Sequence, residues 1–186
     1  MEAAILRRPS LALAGLPVLL RPFRAADIPA LARYANDRGI WLNLRDRFPH
    51  PYSLADAEWY VSFVESDEGR SDVHLCLEIA GEAAGSISLL FKKDVSRRSA
   101  EIGYWLGREH WGKGYATAAV RALTHYGLAH FDLTRIYALI FEHNAASGRV
   151  LEKAGYTFEA RLRQAITKDG RTMDGLLYAF LRNEQA

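Results

Sequence analysis

The stretch Glu101-Ile-Gly-Tyr-Trp-Leu-Gly-Arg-Glu-His-Trp-Gly-Lys-Gly-Tyr-Ala-Thr117 decides the fold of this 186-residue chain. An apolar segment at its start has the composition of a buried strand, and glycines then lead directly into a helical pattern. Because glycine has no Cβ atom, the backbone N–H groups around Gly112 and Gly114 can converge on an anion at the N-terminus of the following helix. The stretch therefore predicts a strand, a phosphate-binding turn and a helix.

Several kinds of turn fit these glycines, including a glycine-rich connection that binds no ligand. Gly107, Gly112 and Lys113 match the P-loop pattern up to its last position, where Gly114 offers no hydroxyl for Mg²⁺. The dinucleotide pattern G-x-G-x-x-G also falls short, because Thr117 stands where its third glycine belongs. The remaining alternative is the pyrophosphate loop of an acyl-CoA-dependent acetyltransferase, with which the flanking residues agree as well.

Residues 101–156 resemble the core of the GNAT acetyltransferase superfamily, and most closely its Rim-type branch of ribosomal-protein N-acetyltransferases. Within them, Trp111–Thr117 resembles the CoA-pyrophosphate loop, and Asn144–Tyr156 resembles the helix that runs beside the pantetheine arm. A looser likeness reaches Leu19–Arg24. The resemblance implies an α+β fold of the acyl-CoA N-acyltransferase type, with a mixed, mostly antiparallel sheet of about seven strands and helices on both faces. It also implies acetyl-CoA as cosubstrate and no metal.

Hydrophobic periodicity predicts one domain over residues 11–186, after a flexible N-terminal end at residues 1–10. The second helix is preceded by a near capping box, since Ser53 lies three residues before Asp56. The predicted elements, in chain order, are a strand Leu13–Phe23, a helix capped by Asp27 that ends near Gly39, a helix after Ser53, a hairpin of Val73–Ile79 and Gly85–Phe91, a strand Ala100–Leu106, a helix Tyr115–Phe131, a strand Arg135–Phe141, a helix Asn144–Ala154, and a hairpin of Tyr156–Lys168 and Thr172–Leu181.

Composition narrows the class of protein. The chain has 24 Lys and Arg against 22 Asp and Glu, a net charge of +2 that is too balanced for a nucleic-acid partner. Its one cysteine, Cys76, rules out an internal disulfide framework and suits a reducing compartment. The apolar stretch before Ala14 is too short for a signal peptide, and no apolar run is long enough to span a membrane. We expect a cytoplasmic enzyme, monomeric or homodimeric, that binds neither membrane nor nucleic acid.

The resemblance implies that an amine attacks acetyl-CoA directly in a ternary complex. The backbone N–H of Leu106 would stabilise the oxyanion, and Ser147, on the same helical face as Asn144, would protonate the leaving thiolate. Local capping or a solvated hydroxyl is the alternative for Ser147. The residues expected to bind the cofactor are Leu106, Trp111, Gly112, Lys113, Gly114, Tyr115, Ala116, Thr117, Asn144 and Ser147.

Glu101 is the leading candidate for the base. It is the only carboxylate on the predicted central strand, where the two-residue period places it on one face with Gly103 and Trp105. A solvated carboxylate, or one paired with Arg97 or Arg98, is the alternative. An α-amine, with a pKa of about 8, needs less help from a base than a lysine side chain near 10.4.

The acceptor wall is expected in the connection from Trp41 to Tyr52, which is too long for a simple turn and contains two prolines. Within it, Asp46 would face the acceptor ammonium. A structural loop with an internal contact between Arg45 and Asp46 is the alternative. The residues expected to bind the acceptor are Trp41, Asn43, Arg45, Asp46, Tyr52 and Glu101.

These observations favour an N-acetyltransferase that acts on a protein or peptide N-terminus, with a small-molecule amine as the second acceptor class. The chain departs from the wider superfamily at Glu109, where Gln or Arg is usual, and at Leu151, where many members have a tyrosine acid. A non-catalytic module that binds acyl-CoA therefore remains a different-class alternative.

Overall fold

The computed structural model of the protein describes residues 8–66 and 71–184. In these ranges the chain forms eight β-strands, which are β1 Leu11–Ala12, β2 Val18–Arg21, β3 Val73–Ile79, β4 Glu82–Phe91, β5 Ser99–Leu106, β6 Arg135–Phe141, β7 Thr157–Lys168 and β8 Arg171–Leu181. The five α-helices of the same ranges are α1 Ile28–Ala35, α2 Arg38–Trp41, α3 Leu54–Glu65, α4 Tyr115–His130 and α5 Ala145–Lys153. No helix in the described part of the chain is long and apolar enough to cross a bilayer.

All eight strands belong to one sheet, in the order β1-β2-β3-β4-β5-β6-β8-β7. Every neighbouring pair is antiparallel except β5 and β6, which run parallel because α4 crosses over between them. The α+β class and the mostly antiparallel sheet agree with the expectation, with one strand more than the seven predicted.

The two parallel strands separate soon after they meet. β5 and β6 pair from Ser99 with Arg135 to Glu101 with Tyr137, and the registered pairing ends there. Pairing of β5 with β4 continues to Leu106, and pairing of β6 with β8 continues to Phe141. The second half of β5 and of β6 therefore border a V-shaped opening in the middle of the sheet, which we call the splay.

Helices cover both faces of the sheet and give each its own core. The larger cluster packs α4 and α5 onto the inward side chains of the central strands, and Leu123 of α4 is completely buried in it. Full burial of one such side chain is worth about 2 kcal/mol. The smaller cluster packs α1 and α3 onto the opposite face around Leu31, Val61 and Cys76. The sheet thus lies between two helical layers, and the splay connects them.

Local sequence explains where the helices begin. Ser53 accepts the amide hydrogen of Asp56, and the Asp56 carboxylate accepts that of Ser53 at 2.8 Å, so the predicted capping box starts α3. The Asn144 side chain accepts the Ser147 amide hydrogen at 3.1 Å and starts α5. Asp27, the predicted cap of α1, instead lies buried in a bidentate ion pair with Arg21 at 2.7 and 2.8 Å.

Two predicted boundaries at the N-terminal end are wrong. The strand predicted over Leu13–Phe23 is confined to β2, Val18–Arg21, because Gly15, with φ of 75°, makes a turn between it and the short β1 that precedes Leu13. The helix predicted to reach Gly39 ends at Ala35, since Asp37 accepts the amide hydrogens of Gly39 and Ile40 and starts α2 anew. Residues 1–7 of the predicted flexible end lie outside the described residues.

Candidate active site

One cavity of about 1650 Å³ follows the splay from one helical layer to the other. Its walls include Gly103–Leu106 of β5 and Ala138–Phe141 of β6, the two strand segments that no longer pair. On the side of α4 and α5 it is lined by the glycine turn and by Asn144 and Ser147. On the side of α1 and α3 it is lined by Arg45–Phe48 and Glu101. Most of the predicted site residues therefore meet around a single space.

The glycine turn has the backbone that an anion-binding turn requires. Gly112 and Gly114 have φ of 75° and 79°, and a Cβ atom on either would have no described atom within 4 Å. Gly114 immediately precedes α4, whose first N–H groups have no partner within the helix. Their partial positive charge makes the open space beside the turn suited to a phosphate.

The side chains of this turn divide into two groups. Tyr115, Ala116 and Thr117 line the cavity with the glycines, as does Trp111, whose indole N–H donates to the Leu106 carbonyl at 2.7 Å. Lys113 is exposed and is absent from the lining. The cavity wall at this end is thus largely backbone and aromatic.

Glu109, which departs from the superfamily pattern, is turned away from the cavity lining. Its carboxylate accepts the hydroxyl of Tyr34 at 2.7 Å. The same hydroxyl lies 3.0 Å from Glu82, which in turn pairs with Arg33 at 2.8 Å. The acidic side chain therefore belongs to a polar network behind the turn.

The amide of Leu106 faces the splay. The neighbouring Gly107 amide donates to the Ala84 carbonyl of the β4 side at 2.8 Å. Because successive amides of a strand point to opposite edges, the Leu106 amide points toward the β6 side, where registered pairing has ended at Glu101. An N–H donor at this position lies on the cavity wall, at the place that the sequence resemblance implied.

Ser147 lies at the opposite wall of the splay and has a partner that the sequence did not suggest. Its hydroxyl is 3.0 Å from the hydroxyl of Tyr104, which comes from β5. Burial raises the pKa of Tyr104 to about 12, against a smaller lowering by Ser147, so the phenol is protonated at neutral pH. Asn144 uses its side-chain oxygen to cap α5. Only the packing of α5 on β5 brings Tyr104 to Ser147, and no spacing in the sequence encodes it.

Glu101 is almost buried and is held by two cations. Lys92 donates to its carboxylate at 2.9 Å, and Arg45 donates to the other oxygen. Burial acts to raise the pKa of Glu101, but the hydrogen bond from Lys92 and the charge of Arg45 outweigh it and leave the pKa below its ordinary value. The alternative partners considered from the sequence, Arg97 and Arg98, are directed elsewhere: Arg97 donates to the Asp94 carbonyl and Arg98 to Asp132.

The predicted acceptor wall is partly structural. Trp41 is absent from the cavity lining and packs under the Lys168 ammonium, 4.0 Å from the ring centroid. Lys168 also pairs with Asp46 at 2.9 Å, so the alternative contact between Arg45 and Asp46 is wrong. Asn43 lines the cavity and donates to the Gly39 carbonyl at 2.7 Å. Tyr52 lines the cavity from the smaller core, where burial raises its pKa.

The floor on the acceptor side comes from β3 and β4, which sequence reasoning did not include. Cross-strand pairing places His74 beside Ser88, and Ser88 beside Gly103. Ser86 lies one pleat further along and is 3.0 Å from the hydroxyl of Tyr60. Both ring nitrogens of His74 are buried without a hydrogen-bond partner among the described residues. The alternation of polar residues along β3 and β4 is the signal from which this floor could have been predicted.

Residues 18–157 match the family model described as Acetyltransferase (GNAT) domain. The chain belongs to the GNAT acetyltransferase family. YjcK, a probable N-acetyltransferase of Bacillus subtilis (strain 168), is 37% identical over 181 residues, covering 91% of this chain and 96% of YjcK. The putative ribosomal N-acetyltransferase YdaF of the same strain is 36% identical over 104 residues, which is 56% of each protein. The chain spans about half the length of several of the curated relatives that it matches.

A solved structure shows the same fold. RimL, described as a ribosomal L7/L12 alpha-N-protein acetyltransferase in complex with coenzyme A, aligns with this GNAT chain at a TM-score of 0.84. The alignment covers 95% of this chain and 100% of that chain at 22% sequence identity. The GNAT fold implied by the sequence motifs is therefore confirmed.

Proposed function

We propose that this protein is an acetyl-CoA-dependent N-acetyltransferase and that its acceptor is the α-amine of a protein or peptide N-terminus. The observation that carries the proposal is the continuous cavity along the splay. It joins an anion-binding glycine turn on one side of the sheet to a carboxylate, Glu101, on the other. The similarity to YdaF and RimL supports the same acceptor class, since YdaF is a putative ribosomal N-acetyltransferase and RimL is described as a ribosomal L7/L12 alpha-N-protein acetyltransferase.

The residues present fit acetyl-CoA. Gly112 and Gly114 leave open space beside amides at the start of a 16-residue helix, which suits a pyrophosphate. The separated strands offer backbone groups to an extended arm that passes between them. When bound, acetyl-CoA supplies an acetyl group as a thioester.

Each catalytic task then has a residue in this chain. The Leu106 amide donates to the acetyl carbonyl oxygen, on which negative charge develops as the amine attacks. A C–N bond forms, the C–S bond breaks, and the Ser147 hydroxyl gives its proton to the departing sulfur and regains one from water. Tyr104, 3.0 Å from that hydroxyl, orients it. The proton lost by the amine passes to Glu101 or, through water, to solvent.

The state of Glu101 favours an α-amine. Its pKa is below the ordinary value, because Lys92 and Arg45 compensate its charge, so it is a weak base. An α-amine is roughly one tenth neutral at pH 7, whereas a lysine side chain is neutral in less than about one part in a thousand. An acceptor amine that is already partly neutral can therefore react with the help of only a weak base.

The test is release of free CoA from acetyl-CoA by purified protein. The acceptors are peptides with a free N-terminus, the same peptides with a blocked N-terminus and one internal lysine, and a polyamine. Release with free N-termini alone is the expected result. Release with lysine or polyamine alone would overturn the proposed acceptor, and acetyl-CoA binding without turnover on any amine would favour a sensor.

A further inference from the structure

The acceptor side of the cavity contains a pocket that neither the cofactor site nor the proposed chemistry uses. Its floor is the row formed by His74, Ser86 and Ser88 on the sheet, and Gly103, which has no side chain, leaves the space above this row open. Its wall toward α3 is formed by Tyr60 and Phe63. The floor is polar but carries no charge, because burial and then the nearby Arg47 lower the pKa of His74 to about 4.

The mouth of this pocket carries one unpaired positive charge among the described residues. Arg45 and Lys92 donate to Glu101, and Arg47 lines the same cavity. The other two carboxylates of the lining are engaged, because Asp46 pairs with Lys168 and Asp56 caps α3 at Ser53. Arg47 lines the cavity, is exposed, and has no hydrogen-bond or ion-pair partner among the described residues.

Arg47 lines the same cavity as the floor residue His74 and the wall residue Tyr60. Its charge contributes to the lowered pKa of His74. Among the described residues, the carboxylates of this lining pair with other groups and leave Arg47 without a counter-charge. A carboxylate would pair with Arg47, whereas a second ammonium would be repelled by it. The surrounding cations also lower the pKa of the attacking amine, which raises its neutral fraction.

We propose that the acceptor is a peptide N-terminus with an acidic side chain within its first two residues, and that Arg47 binds this carboxylate above the floor formed by His74, Ser86 and Ser88. The inference rests on the proposed function and narrows it. It excludes polyamines and N-termini followed by lysine as good acceptors.

The experiment compares matched peptides that begin Ser-Asp, Ser-Asn and Ser-Lys, each with the same following sequence, and measures kcat/KM for CoA release at low salt. Wild-type protein should prefer Ser-Asp to Ser-Asn by about tenfold, the size of one partly exposed charge-assisted hydrogen bond. Arg47→Gln should remove the preference, and Arg47→Glu should reverse it toward Ser-Lys. The exposed Arg163→Gln, on β7 and outside the cavity lining, is the control and should keep the wild-type ratio.

The outcomes separate this inference from the proposed function. Acetylation of all three peptides at similar rates, or a preference that survives Arg47→Gln, would overturn the acidic-acceptor inference and leave the N-terminal acetyltransferase intact. Absence of CoA release with every amine would overturn both. A preference for Ser-Asp that disappears in 1 M salt would support pairing of exposed charges, since screening is then nearly complete.

Discussion

The neutral His74, which is half-buried with both ring nitrogens buried, leads to a measurable prediction about acid stability. Its ring meets Tyr60 and Phe63 edge to face, with centroids 6.2 and 5.9 Å away, and neither ring nitrogen has a partner among the described residues. Burial, and secondarily the charge of Arg47, lower its pKa from 6.5 to about 4. Folding therefore excludes a proton that the unfolded chain binds readily between these two values.

The difference between the folded and unfolded pKa of His74 determines the sign and the size of the pH effect on stability. A histidine whose pKa is lower in the folded state contributes its full stability above pH 6.5 and loses it as the pH falls toward 4. The full shift corresponds to about 3 kcal/mol, at 1.36 kcal/mol per pKa unit. Between pH 7 and pH 5 the unfolded histidine becomes mostly protonated while the folded one stays neutral, so about 2 kcal/mol is lost.

Urea unfolding of wild type and His74→Phe at pH 7 and pH 5 measures this loss. Phe keeps the aromatic contacts and cannot titrate, so the variant should lose about 2 kcal/mol less than wild type between the two pH values. At pH 7 it should be at least as stable, because two unpaired buried nitrogens are removed. His130→Phe, at an exposed site, controls for the loss of a histidine. Equal acid losses in wild type and His74→Phe would refute the reasoning.

Three further predictions concern the cavity. Gly114 and Gly170 both have a positive φ and open space around them, so Gly114→Ala and Gly170→Ala should each lose about 1 kcal/mol of stability. Only Gly114→Ala should weaken acetyl-CoA binding, measured by calorimetry. Equal affinities of the two variants would remove the turn from the site. Ser147→Ala should lower kcat roughly a hundredfold at unchanged acetyl-CoA affinity. In the double variant, Tyr104→Phe should cause little further loss of kcat, because Tyr104 acts through Ser147. Additive losses of kcat would contradict an orienting role for Tyr104. Glu101→Gln should lower the plateau of kcat and move its pH midpoint downward, because the bound amine then loses the carboxylate proposed to face it while Lys92 and Arg45 remain; an unchanged profile would exclude Glu101.

The sequence predicted the elements whose signals are local. The bounds of β6 over Arg135–Phe141 were correct, and the capping box at Ser53 and Asp56 formed as expected. The glycine turn could be predicted because Gly112 and Gly114 adopt a backbone that other residues avoid. The missed turn at Gly15 was also local, and the following Pro17 gave a second signal for it.

What the sequence could not supply is contact between residues far apart in the chain. Arg45 reaches Glu101 across 56 positions, and Tyr104 reaches Ser147 across 43. Such contacts depend on how helices are placed against the sheet, which no periodicity encodes. The splay could not be predicted from the sequence either, because the strand pattern of β5 and β6 is regular on both sides of the point where their pairing ends. Catalytic candidates were therefore predicted singly, and their partners were not.

The pairing of Glu101 bears most directly on what the site can acetylate. A carboxylate whose charge Lys92 and Arg45 already compensate gains little when it accepts a proton, so the acceptor itself must supply most of the neutral amine. At pH 7 that requirement costs about 1.4 kcal/mol for an α-amine of pKa about 8, and about 4.6 kcal/mol for a lysine side chain near 10.4. The difference of about 3 kcal/mol is more than a hundredfold in rate. The proposed selection of N-termini over lysine side chains then needs no dedicated contact to the amine, because the weakness of the base is enough to produce it.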